Sequence, residues 1–496
     1  MDLGLSYDDV LLVPKRSSIK SRKDVSTTSN LTKKIKIHVP IISANMDTVT
    51  ESEMAISMAE LGGVGIIHRF NTIEEQVDEV KKVKRYRNAI IENPLTVPID
   101  LPITDLIHLG AKHKFSSFLV VDFNKKLVGI VTSRDVRFKQ PGSLIVRDVM
   151  TPKDKLIVGM SSVSVNKAKK VMVNHKIEKL PIINDDWTVA GLITSKDIFK
   201  KALHPFSTLD SKERLMVGAA IGVKLTEIKR AKELIDAGVD FLVIDIAHGH
   251  SDHEIELLKK IKKEFPKIEV IAGNVCTPEG TRDLIKAGAD CVKVGVGPGS
   301  TCVTRLVSGA GYPQISAIIN CAKVADKLNV PIIADGGIKL SGDITKAIAA
   351  GASTVMLGSM LAGTEEAPGK TLIKNGKKIK IYRGMASFGA KLGKDSKNSV
   401  EDNISEYVPE GVEATVPYKG NVEEIIHQLV GGLRSGMSYV GAKNINEIRG
   451  KCEFVQITAG GLRESHPHDI NTVWFIVYYT KKYIKDIFNY YIKHKD

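Results

Sequence analysis

The apolar residues of this chain gather in runs of four to six that stop abruptly at small or polar residues. Runs this short, apolar at nearly every position, are typical of strands buried on both faces, as in parallel sheets covered by helices. Eight are found, at 39–43, 63–67, 217–222, 241–245, 268–273, 290–294, 331–334 and 353–357. Helix-like segments lie between them, the first at Glu51–Leu61. Three stretches repeat one pattern of helix end, Ala-Gly stop and buried strand: LIDAGVDFLVID from Leu234, LIKAGADCVKVG from Leu284 and AIAAGASTVMLG from Ala347. Eight such units predict an α/β protein, a closed (β/α)8 TIM barrel, with a doubly wound open sheet as the alternative.

Between about Glu92 and Pro205 a different repeat takes over. FLVVDFNKKLVGIVTSRDV from Phe118 lines up with LPIINDDWTVAGLITSKDI from Leu180, so that Gly129, Thr132 and Asp135 recur as Gly191, Thr194 and Asp197, 62 residues on (191 minus 129). Each copy reads as an alternating hairpin followed by Thr and Asp, residues suited to capping a helix or to hydrogen-bonding a ribose. The copies resemble a pair of CBS motifs, which implies a nucleotide effector site; simple helix capping is the other reading. The expected organisation is a first barrel part at 1–91, a tandem CBS domain at 92–205, a second barrel part with a flap at 206–472, and an aromatic, basic tail at 473–496.

In a barrel of this kind the active site is built at the strand C-termini. Chemistry-bearing residues fall there: Asp245 before AHGHS, Asn274 after the fifth run, Asp335-Gly336-Gly337 after the seventh, and Gly358-Ser359 after the eighth. Glycines after the last two strands suit a phosphate held on backbone amides. After the sixth run comes VGVGPGSTCVTRLVSGAGYPQ (Val294–Gln314), with Cys302 beside five glycines and two threonines. A flexible turn with an incidental cysteine is the plain reading of that stretch alone. Convergence at one barrel end favours a site in which a thiol meets a phosphorylated substrate.

Composition narrows the class further. Five cysteines, Cys276, Cys291, Cys302, Cys321 and Cys452, form no CxxC pair, so neither a disulfide framework nor a zinc site is expected, and a reducing, cytoplasmic setting is. The net charge of +14 includes lysines strung along helices, such as Lys259, Lys260, Lys262 and Lys263. These are read as solvated faces, with no specific nucleic-acid partner expected. No run is long and apolar enough for a membrane span. The tail from Val473, with Tyr483, Ile487, Tyr490 and Tyr491 at helical spacing, could lie on a membrane surface; packing on the protein's own body or no role are the other readings.

The motifs SANMDTVTE, IDIAHGHS, GPGSTCVTR, GSMLAGTEEAPG, YRGMAS, VPEGVEATVPYKG and ESHPHD, in this order, resemble the inosine monophosphate dehydrogenase and guanosine monophosphate reductase family over residues 1 to about 470. The resemblance implies that Cys302 attacks C2 of a purine nucleoside monophosphate, with Thr304 and Glu410 as its catalytic partners. It places Ser43, Met46, Ser300, Asp335, Gly336, Gly337, Gly358, Ser359, Tyr382, Gly384, Met385 and Glu410 around that substrate. Asp245, Asn274 and Gly295 fall at the dinucleotide, NAD, or NADPH in a reductase. Gly297, Gly299 and Cys302 match a potassium site completed by Glu464, Ser465 and His466 of a neighbouring copy, which implies a homotetramer or octamer. One departure bears on the activity. The family's dehydrogenases hydrolyse their intermediate with an Arg-Tyr pair in a flap, yet Ala386–Val408 contains no arginine; Lys397-Asn398 lies nearest the expected place, and Tyr407 sits too close to VPEG. The leading reading is IMP dehydrogenase, with GMP reductase as the alternative and an inactive nucleotide-sensing scaffold as a third.

Overall fold

The computed structural model of the protein describes residues 3–86, 91, 94–113, 117–137, 144–195, 203–392 and 408–467. Eight parallel strands close into a barrel: β1 (Ile41–Ser43), β2 (Val64–Ile67), β3 (Val217–Ile221), β4 (Phe241–Asp245), β5 (Glu269–Val275), β6 (Cys291–Val294), β7 (Ile332–Asp335) and β8 (Thr354–Leu357). Each lies within two residues of its predicted bounds. Strands follow chain order around the barrel, with β8 paired to β1 and β2 to β3, so the open-sheet alternative is excluded.

The threefold Ala-Gly phrase has a geometric reason. Gly238, Gly288 and Gly351 all take left-handed backbone angles, φ +92°, +113° and +124°, which let a helix stop in one residue and turn the chain into the next strand. The helix Pro278–Ala287 shows the unit whole: the Thr277 hydroxyl accepts from the Gly280 amide at 3.2 Å, proline occupies the first turn, Gly288 ends the helix, and β6 begins three residues on. One continuous apolar core runs through the barrel and the helices around it.

The inserted repeat is equally regular. Thr96–Pro98 pairs parallel with Ser117–Val121, which forms a hairpin with Leu127–Thr132; Gly159–Met160, Lys179–Ile183 and Val189–Thr194 repeat that arrangement. Even the bulges correspond, between Val120 and Val121 in one copy and Ile182 and Ile183 in the other, opposite Gly129 and Gly191. Leu119, Leu127, Ile183 and Leu192 form an apolar cluster shared by the two copies. Such a unit cannot bury its sheet face alone, so it occurs in pairs. In the first copy the Asp135 carboxylate accepts from the Thr132 amide and hydroxyl, both at 2.7 Å, as a helix cap would; Asp197 lies outside the described residues. So does the tail from 468 onward. Among the described residues no helix is long and apolar enough to cross a membrane.

Candidate active site

The loops after β1, β2 and β4 to β8 open onto one cavity of about 590 Å³. Two glycines let the β6 loop enter it. At Gly295 (φ +150°) a Cβ would lie 2.1 Å from the Asp335 carbonyl oxygen, so only glycine lets β6 end against the end of β7. At Gly297 (φ +88°) a Cβ would strike the Arg305 side chain at 2.6 Å. Arg305 closes the loop from behind by donating to the Tyr312 carbonyl at 2.5 Å.

The loop so held carries Cys302 and Thr304, and backbone pairing brings Glu410 to them from a distant part of the chain. The Val303 amide donates to the Glu410 carbonyl at 2.8 Å, and the Val412 amide to the Thr301 carbonyl at 2.9 Å. The side chains then form a relay: Cys302 Sγ lies 3.2 Å from Thr304 Oγ1, which donates to Glu410 Oε2 at 2.7 Å. A thiol, a hydroxyl and a carboxylate in sequence can carry a proton away from sulfur when the thiolate attacks, and return one later.

A second cluster in the same cavity is centred on Lys293, a residue the sequence reading passed over. Its side chain is 2% exposed, and its ammonium donates to Asp245 Oδ1 at 2.8 Å, Asp335 Oδ2 at 3.0 Å and the Asn274 side-chain oxygen. The Asn274 amide in turn donates to Asp335 Oδ2 at 2.9 Å and to the Gly295 carbonyl at 2.8 Å. Burial acts against every charge here, yet the ion pairs prevail: Lys293 and Arg69 hold Asp245 below the usual carboxylate range, and the two aspartates hold Lys293 above the usual lysine range. The available signal was a lysine inside the otherwise apolar strand CVKV.

Glu254, on the helix Asp252–Glu264 after β4, is different. Burial pushes its carboxyl up to about 9, only partly opposed by the Gly273 amide, which donates to it at 2.7 Å, and by Lys293. An acid that stays protonated when folded but ionises when unfolded makes stability fall as pH rises between its two pKa values. Wild-type protein is therefore expected to lose stability between pH 6 and pH 9, and Glu254→Gln to flatten that slope by on the order of 1–2 kcal/mol. Thermal melts across this pH range check it.

Most predicted residues meet at the cavity. Met46, Asp245, Asn274, Gly295, Gly297, Gly299, Ser300, Cys302, Thr304, Asp335, Gly336, Gly337, Gly358, Ser359, Tyr382, Gly384, Met385 and Glu410 all line it. The Ser300 hydroxyl donates to Tyr382 Oη at 3.4 Å. Ser43 does not line it; that side chain is fully buried and its hydroxyl accepts from Thr50 at 2.9 Å, a contact within the β1 loop. Glu464, Ser465 and His466, at the end of the helix Ala459–Glu464, are also absent from the lining. Arg69 and Phe70, which sequence reasoning missed, line the same end as Asp245, and Arg69 Nε is buried without a hydrogen-bond partner among the described residues. A half-buried cation with one unpaired, buried donor suits an anionic dinucleotide. The flap positions Lys397, Asn398 and Tyr407 lie outside the described residues.

A parallel barrel whose C-terminal cavity holds a thiol–hydroxyl–carboxylate relay has the arrangement of an enzyme suited to covalent, proton-assisted chemistry. The family profile for the IMP dehydrogenase / GMP reductase domain matches residues 4–468, and the chain belongs to that family. It is 52% identical over 471 residues to an inosine-5'-monophosphate dehydrogenase of Nitrosopumilus maritimus, covering 94% of this chain and 98% of that one. It is 48% identical over 482 residues to a GMP reductase of Leishmania major, covering 94% and 97%. The crystal structure of a variant GMP reductase from Trypanosoma brucei with guanosine 5'-monophosphate superposes with a TM-score of 0.90 at 45% identity, covering 95% of this chain and 99% of that one.

Proposed function

We propose that the protein is an IMP dehydrogenase, converting IMP, NAD and water to XMP, NADH and a proton. The observation that carries this reading is the relay from Cys302 through Thr304 to Glu410. Cys302 adds to C2 of the hypoxanthine ring while its proton passes toward Glu410. Hydride leaves C2 for the nicotinamide, which leaves an oxidised purine bonded to sulfur. Water then adds at C2 and sulfur departs as the leaving group, giving XMP. Ser300, Asp335, Gly336, Gly337, Gly358, Ser359 and Tyr382 hold the ribose and phosphate, with the glycines after β7 and β8 at the phosphate, and Gly384, Met385 and Glu410 lie around the base. Asp245, Asn274 and Gly295 receive the dinucleotide, with Arg69 beside them. The carbonyls of Gly297, Gly299 and Cys302 are hard oxygen donors of the kind an alkali cation takes, and Glu464, Ser465 and His466 of a neighbouring copy complete a potassium site in a tetramer. The inserted repeat is a CBS pair, a regulatory nucleotide module. Relatives named as dehydrogenases, at 51–52% identity, support the direction of the reaction.

The missing flap arginine favours a second reading, GMP reductase, in which NADPH delivers hydride to GMP and ammonia leaves; no water need be activated. The superposed reductase structure bears the same way. Glu410 working through Thr304 provides the dehydrogenase with a route to water that needs no arginine. Glu410→Gln is accordingly expected to slow turnover by about 10²–10³-fold, measured by steady-state kinetics. The function itself is tested by mixing protein with IMP, NAD and potassium and following NADH and XMP. Silence there, with NADPH oxidation on GMP, establishes the reductase.

A further inference from the structure

Behind the turn that begins at Gly358 lies an ammonium that no carboxylate pairs among the described residues. Lys419 follows the strand Glu413–Pro417 and is tied down by its own amide, which donates to the Gly363 carbonyl at 2.8 Å. Its Nζ donates to the Ser359 and Met360 carbonyls at 3.2 Å and 3.1 Å. The Leu361 and Ala362 amides both return to the Gly358 carbonyl at 3.0 Å, so this is one closed turn. It has two faces. Gly358 and Ser359 line the cavity, where a Cβ on Gly358 would meet Tyr382 Oη at 2.9 Å and Met46 Sδ at 3.2 Å, while Lys419 holds the opposite face and does not line the cavity.

Among the described residues Lys419 has no carboxylate partner, and burial alone lowers its pKa. Lys380 shows the contrast. It collects the carbonyls of Thr364, Glu365 and Ala367, and although burial still lowers its pKa, Glu365 and Glu366 oppose that in part. A half-buried cation left without a counter-charge is costly to keep unless an anion arrives. One face of the turn points to carbonyl-bound Lys419 and the other to the substrate cavity, so the anion it awaits lies across the turn.

We propose that Lys419 is a positioning residue for the phosphate of the substrate: it fixes the Gly358 turn from behind and supplies the positive charge that selects a nucleoside monophosphate over the nucleoside. This rests on the reading of Gly358 and Ser359 as the phosphate end, and holds for either direction of the reaction, since IMP is a ligand in both.

The test is equilibrium binding of IMP and of inosine, the latter by competition, to protein carrying Cys302→Ala so that no covalent adduct forms. Lys419→Met is expected to weaken IMP about tenfold while leaving inosine within about twofold, as expected for a lost charge acting through one peptide layer. Lys419→Gln, which keeps the stem and a neutral donor, should match it; thermal melts verify folding. Equal losses for both ligands, or none, overturn the role of Lys419 while the phosphate reading stands. A parent protein that binds inosine as tightly as IMP overturns the phosphate reading and this proposal with it.

Discussion

Cys302→Ala is expected to abolish turnover, by about 10⁴-fold or more, while IMP still binds. In the proposed mechanism sulfur forms and breaks the bond to C2, and its relay partners, the Thr304 hydroxyl and the Glu410 carboxylate, are weaker nucleophiles than a thiolate. The substitution removes one atom from a loop fixed by Arg305 and by backbone pairing to 410–412, so the fold should be untouched. Intact protein mixed with IMP and NAD and quenched within one turnover should carry the purine on Cys302 in the mass spectrum of its peptides; the alanine protein should carry none. Unchanged turnover in the alanine protein would show that Cys302 is not the nucleophile, and no turnover in the intact protein would return the molecule to the class of inactive nucleotide-sensing scaffolds.

Lys293→Met should be nearly as damaging, by another route. The substitution leaves two aspartates at the cavity without their shared cation, and a buried ion pair broken on one side costs about 3 kcal/mol or more. Stability should fall by roughly that much, and kcat by about 10²-fold or more, because Asp335, Asn274 and Asp245 lose the single group that orients all three. Lys293→Arg keeps the charge and should recover part of both losses. Chemical denaturation and steady-state kinetics on the two variants separate the effects. A methionine variant as stable and as active as the parent would show that the lysine is a spectator.

The barrel was legible because its physics is local. Strands buried on both faces must be apolar at nearly every position, and the Ala-Gly stops at Gly238, Gly288 and Gly351 mark where each helix hands over to a strand. The tandem insert was legible because the same contacts occur twice at one offset. The relay was only half legible: Cys302 and Thr304 stand two residues apart, but Glu410 reaches them through backbone pairing across more than a hundred residues, which only the family motif could supply. Lys293 was not read because a charged residue in a buried strand has no local partner; its three acceptors come from the ends of three other strands. Lys419 escaped for the same reason, since the turn it supports lies about sixty residues earlier. Ser43 was carried in by its motif; in the structure it does not line the cavity, and its buried hydroxyl accepts from Thr50.

The central claim is that the covalent purine on Cys302 is released by water. The direct measurement is a single turnover of IMP and NAD in water enriched in heavy oxygen, with the product purine weighed afterwards. IMP dehydrogenase predicts XMP with one heavy oxygen at C2 and one NADH for each site. Protein that forms the adduct but releases a purine only when ammonia is supplied, giving GMP without the label, contradicts that claim and makes the chain a reductase.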